Sequence, residues 1–104
     1  MAKTQASVYL LLGPEEGERR DFIQELTKTL EKQAGEVEVH RFYAFDSSLI
    51  DILPLLRSGS LFGAHTLVLM HAAEEIKKKE EIDAFAAYCK NPSETGTLIL
   101  TSDR

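Results

Sequence analysis

The chain has a single cysteine, Cys89, and no tryptophan among its 104 residues. One thiol cannot close an internal disulfide, so the fold does not depend on an oxidising compartment and a reducing one is its natural setting. Apolar runs are short: none approaches the ~18 residues of a membrane span, and Met1 to Ser7 lacks the charged-then-apolar pattern of a signal peptide. A cytoplasmic location is the expectation. Basic residues are scarce as well. Twelve Lys and Arg face seventeen Asp and Glu, giving a formal charge of -5. Neutralising phosphates requires a basic face, which argues against a nucleic-acid binder in its own right but not against membership of a DNA-working complex. Repeats and low-complexity segments are missing, and six glycines, three prolines and 43% hydrophobic residues exclude a disordered chain. The length suits one domain, just large enough to bury a core without staples.

What is present alternates between two periodicities. Val8 to Leu12 is a continuous apolar run broken by Gly13-Pro14, which predicts a strand covered on both faces and therefore a central one. Phe22, Ile23, Leu26 and Leu30 then share one helical face, behind the acidic first turn of Glu15, Glu16 and Glu18, and Gly35 is placed to close that helix. Val37 to Tyr43 alternates, with Val37, Val39 and Arg41 on one side and Glu38, His40 and Phe42 on the other, as an edge strand does. A helix follows, with Asp46, Ser47 and Ser48 as candidate N-caps and Pro54 predicting a kink or a restart at Leu53. Thr66 to Met70 reads as a buried strand. Glu74 to Cys89 reads as a helix with Ile76, Ile82, Phe85, Ala86 and Cys89 inward, and Thr97 to Thr101 as a fourth strand.

The order β-α-β-α-β-α-β predicts an α/β domain of three layers, with helices on both faces of a parallel four-stranded sheet. A buried strand three residues before the end predicts that 1–104 is an N-terminal piece of something longer.

Candidate chemistry is thin. Gly13-Pro14-Glu15-Glu16-Gly17-Glu18-Arg19 lies between the first strand and first helix, where a phosphate-binding loop would lie. Such a loop reads GxxxxGK[ST]. Counted from Gly13, its second glycine, lysine and hydroxyl residue fall on Glu18, Arg19 and Arg20. Three glutamates repel a polyphosphate and no hydroxyl is placed for magnesium, so a glycine turn with an acidic helix start is favoured over nucleotide binding. The acidic pair expected after the third strand is replaced by Met70-His71-Ala72, which also leaves out the aspartate a phospho-receiver domain needs there. His40, His65 and His71 have no carboxylate or cysteine at ligand spacing, so satisfied or surface histidines are expected and no metal site. Cys89, on the inward face, is expected as a small core residue. The run Lys77-Lys78-Lys79 is bracketed by glutamates and predicts a solvated face of helical ion pairs. No nucleophile and base pair up, so no catalytic residue or cofactor is expected.

The stretch Ser48 to Gly63 carries more. Leu49, Ile52, Leu53 and Leu56 can share the inner face of a helix, flanked by Ile50 and Leu55. Leu61 and Phe62 lie beyond Ser58 and Gly59, which should end that helix, and so cannot join its face. A Leu-Phe pair on a turn between Ser60 and Gly63 is either a plug over the core edge or an exposed anchor for a partner.

These pieces together resemble a known family. The strand and glycine turn (Val8 to Gly17), Phe45-Asp46, Ser60-Leu61-Phe62-Gly63 leading into Leu67-Val68-Leu69, Glu75 to Glu80, and Tyr88 with Asn91-Pro92-Ser93 resemble the N-terminal domain of the delta subunit of bacterial DNA polymerase III. The resemblance implies an AAA+ or P-loop NTPase-like fold, with the first and fourth strands adjacent. Its phosphate loop, at Gly13 and Gly17, would be degenerate and no longer bind ATP. It implies a clamp-loader subunit that is not itself an enzyme, within a complex acting as a DNA-directed DNA polymerase. Leu61 and Phe62, framed by Ser60 and Gly63, would enter a pocket on the sliding clamp (the beta subunit) and help open it. Other clamp-loader subunits would be met through lid and collar domains beyond this sequence, and DNA only through the complex. The alternative is a small P-loop-like nucleotide-binding enzyme, an ATPase or kinase. A further alternative is a plain interaction domain in which Leu61 and Phe62 are core.

Overall fold

The computed structural model describes residues 7–13, 15–58 and 65–103. Four strands, β1 (Val8–Leu12), β2 (Val37–Tyr43), β3 (His65–His71) and β4 (Gly96–Ser102), alternate with three helices, α1 (Glu16–Ala34), α2 (Leu49–Ser58) and α3 (Lys79–Lys90). The strands form one sheet in the order β1-β4-β3-β2, every pairing parallel. The chain crosses from one edge to the other through α1, then reverses and steps back through α2 and α3. Crossovers of one hand place helices on opposite faces when that direction reverses. Accordingly α1 covers one face, with Leu26 and Leu30 on Leu67, Leu69 and Ile99, and α2 and α3 cover the other, with Leu49, Ile52, Leu53, Leu56 and Tyr88 around Val68, Met70, Leu98 and Leu100.

The three-layer α/β fold, the adjacency of β1 and β4 and the edge position of β2 follow the sequence reading. The position of β1 does not. It lies at the other edge of the described sheet, and Leu10 and Leu12 are 56% and 63% exposed. They share a side with Val8, which packs toward α2 and α3, but those helices do not reach over the far end of β1. Both interior strands, β3 and β4, are buried along almost their whole length.

Helix α1 ends where Gly35, at φ 93°, donates its N–H to the Glu31 carbonyl at 2.8 Å. Helix α2 starts at Ser48, whose Oγ accepts the Ile50 N–H at 3.2 Å. It runs through Pro54 without restarting at Leu53. The hydrogen bond that proline cannot donate would have gone to the Ile50 carbonyl; both residues are exposed, so water can serve that group.

Helix α3 departs furthest from expectation. Ala73–Glu75 is a 3-10 turn, and the helix begins only at Lys79. Its inward face is Glu81, Ala84, Phe85 and Tyr88, while Ile82, Ala86 and Cys89 are exposed. The lysine run therefore lies mostly before the helix, and the pair formed at helical spacing is Lys79 with Asp83 at 2.8 Å. Glu81 points inward because α2 needs it. Its Oε1 accepts the Leu49 N–H at 2.9 Å, one of the donors a helix start leaves unsatisfied. At the other end of α2, Arg57 donates to the Asn91 carbonyl at 2.6 Å and lies 4.7 Å from the centre of the Tyr88 ring. The last turn also presses on β4: a Cβ at Gly96 would lie 2.8 Å from the Leu56 carbonyl oxygen, so only glycine fits.

If Glu81 acts through its acceptor oxygen, Glu81→Ala leaves a buried donor unpaired and lowers the unfolding free energy by about 1–3 kcal/mol. Glu81→Gln keeps an acceptor and loses distinctly less. Urea unfolding of the three proteins checks this, and equal losses in the two variants would refute it.

Candidate functional site

In a parallel sheet flanked by helices, ligands gather at the carboxyl ends of the strands. At that end Gly13, at φ 103°, donates its N–H to the Ser102 carbonyl at 3.0 Å, tying the exit of β1 to the exit of β4. Gly17 is already the second residue of α1, and Glu15 makes no side-chain cap. Arg19, at the position of a phosphate loop's lysine, is turned into the fold. Its Nη1 is 3.3 Å from the Ser102 carbonyl oxygen and 3.1 Å from Asp103 Oδ1, and its Nη2 is 3.9 Å from Glu16 Oε1.

Beside Arg19 opens a cavity of about 600 Å³ between the first turns of α1 and the ends of β2, β3 and β4. Arg20, Arg41, Tyr43, Phe45, His71 and Ala72 are among its lining residues. Tyr43 stacks at a tilt on both Phe45 and His71, with ring centres 5.3 and 5.2 Å away. Ala72 takes φ 60°, a left-handed conformation costing a non-glycine residue about 1 kcal/mol or more, directly where β3 ends. This aromatic and cationic cluster was not singled out by sequence reasoning. Arg41 and Tyr43 belong to a strand, Phe45 to a turn and His71 to another strand, and only the β2 to β3 pairing joins them.

The histidines are satisfied. His65 Nε2 is 2.8 Å from Thr97 Oγ1 and His71 Nδ1 is 2.8 Å from Thr101 Oγ1, so each end of β3 is bolted to β4 on the α1 face. His40 Nε2 is 2.6 Å from Glu38 Oε2. Among the described residues no group of three or more His, Cys, Asp or Glu could hold a metal ion, and no helix is long and apolar enough to cross a membrane. Cys89 is exposed rather than core, because the inward face of α3 is set by Glu81 and Tyr88. Burial of part of the side chain pushes its thiol up from the ordinary value, away from a reactive thiolate.

Ser60, Leu61, Phe62 and Gly63 lie outside the described residues. The flanks are described. Before residues 59–64 α2 is held at both ends by bonds to α3 and the Asn91 carbonyl, and after them β3 begins at His65, which bonds Thr97.

The geometry defines a parallel α/β domain whose site lies at the carboxyl end of its sheet. No family model matches the chain, and no curated protein matches it in sequence. Among solved structures it is similar to one described as the Bacillus subtilis DNA clamp loader delta protein (YqeN), with a TM-score of 0.65 and 19% identity. The similarity covers 94% of this chain and 31% of that one, so the chain spans about a third of its neighbour's length and shares its fold.

Burial lowers the pKa of His71 from the model-compound value of 6.5; Arg41 and Arg19 lower it further, while Asp103 opposes them. The folded state thus binds this proton less readily than the unfolded state does. The associated stability is present above about pH 6.5 and is lost as pH falls through that value toward the lowered folded one. Unfolding midpoints measured against pH should fall for the natural protein in this window and fall less for His71→Asn. Identical slopes would contradict the assignment.

Proposed function

We propose that the chain is the clamp-binding domain of a clamp-loader delta-type subunit, an N-terminal AAA+-like portion of a longer protein that engages and helps open the sliding clamp without hydrolysing ATP. The observation carrying this reading is the overlap with a clamp-loader delta protein over 94% of the chain. Two features support it. Arg19, where a phosphate loop would offer its lysine, is engaged with Ser102, Asp103 and Glu16, and Glu15, Glu16 and Glu18 fill the turn where a polyphosphate would sit. The segment holding Ser60, Leu61, Phe62 and Gly63 springs from a helix anchored at both ends, the preorganisation an apolar anchor needs. Leu61 and Phe62 are assigned as the residues that insert into the clamp, and burying them there yields roughly 3–6 kcal/mol gross. Other loader subunits would be met through the remainder of the longer protein.

Two measurements test this. Calorimetric titration with magnesium and ATP should show no binding in the micromolar range; a micromolar affinity would favour the P-loop enzyme instead. For the anchor, a buried aromatic hot spot contributes about 2 kcal/mol or more, so Phe62→Ala should weaken binding to the cognate sliding clamp about 30-fold while changing stability by under ~1 kcal/mol. A stability loss of ~3–5 kcal/mol, with clamp affinity kept by the folded fraction, would assign Phe62 to the core.

A further inference from the structure

Helix α1, the one helix on its face among the described residues, packs on β1, β4, β3 and on Val37 at the start of β2, but beyond Val37 that side of β2 is largely open. Val39 and Tyr43, which point there, are 41% and 46% exposed, and Phe45 just beyond them is 68% exposed. Two adjoining cavities, of about 600 and 810 Å³, share Ile23, Gln24 and Arg41 and run as one groove between α1 and β2. Ile23, Val39, Tyr43, Phe45 and Leu69 give it apolar lining, with Arg41, His71 and Thr101 set among them. Its rims carry Arg20 and Lys28 from α1 and Arg41 from β2, in a chain whose net charge is -5. Among the described residues that line it, the carboxylates are Glu16 and Asp103, at the upper end and both engaged with Arg19. Arg20 and Arg41 have no ion pair among the described residues. The field of Arg41 is felt at His71, consistent with a positive groove.

Three cations beside an apolar strip do not suit a phosphate backbone, which asks for a continuous basic face and rewards little apolar contact. The strip is long enough for a helix: seven strand residues span about 23 Å, and a helix with its side chains is about 10 Å across. We propose that the groove between α1 and β2 docks an amphipathic helix of a partner protein, its apolar stripe on Val39, Tyr43 and Phe45 and its carboxylates on Arg20, Lys28 and Arg41. The proposal is independent of the clamp reading, since it rests on α1, β2 and Phe45 and on none of residues 59–64.

Selection from a displayed library of helical peptides of about four turns, with the chain immobilised, tests it. Enriched peptides should carry Asp or Glu flanking an i, i+3, i+4, i+7 apolar stripe, and should lose about ten-fold or more in affinity for Arg41→Glu and for Arg20→Glu. Both residues are exposed, and melts of the two variants should match that of the natural chain. No enrichment, enrichment of basic or wholly apolar peptides, or indifference to both variants would overturn the proposal. So would a concentration-dependent dimer in sedimentation that Arg41→Glu abolishes, which assigns the groove to a second copy. Binding of a single-stranded oligonucleotide that Arg41→Glu abolishes would overturn it in favour of nucleic acid.

Discussion

The pairing of β3 with β4 is the constraint on which the rest of the domain depends. Nearly every residue of both strands is buried, so both sheet faces must be roofed, and the polar residues at their ends must find partners within the sheet. Two histidine-threonine bonds meet the second requirement in part, at His65 with Thr97 and at His71 with Thr101; Ser102 turns instead to Glu74, and Thr66 Oγ1 stays buried without a partner among the described residues. The first is met by helices whose faces are dictated by the direction of travel: one outward crossing by α1, two returns by α2 and α3. A lone helix about 10 Å wide cannot roof four strands spaced about 4.8 Å apart. The uncovered strip along β2 on the α1 face is therefore a product of the topology itself. On the other face α2 and α3 stop short of the far end of β1, leaving Leu10 and Leu12 bare above the opposite edge.

Where hydrophobic periodicity and burial coincide, the sequence was legible. Leu49, Ile52, Leu53 and Leu56 could only be one helical face, and all are buried. Alternation marked β2 as an edge strand, since one of its faces is half polar. For β1 the same kind of evidence misled. An unbroken apolar run predicts two covered faces, but whether helices reach the far end of a strand is a matter of layer width, which no local pattern encodes. For α3 the phase slipped because polarity was taken as exposure. Glu81 and Tyr88 are inward with their polar tips satisfied, by the Leu49 N–H and the Ser93 N–H, and this turns Ile82 and Cys89 outward. Its start slipped too, since the first acidic residues belong to a 3-10 turn.

The candidate sites divide in a similar way. That the β1 to α1 turn departs from the phosphate-loop motif was readable residue by residue, because the motif is local. That Arg19 instead locks α1 to the exit of β4 was not, since Ser102 and Asp103 are more than eighty residues away. The lock has a mechanical sense. It holds the first turns of α1 against the exit of β4, beside the cavity at that end of the sheet, as part of the domain's scaffold.

That scaffold is stiffest around α2. One end is capped by a carboxylate from α3, and the other is held by Arg57 against Asn91 and Tyr88. Its last turn rests on a glycine that admits no side chain, so α2 cannot shift without moving both α3 and β4. The α1 to β2 groove is built on the other face and from different elements. Between it and α2 stand β3 and β4, the two strands buried along almost their whole length.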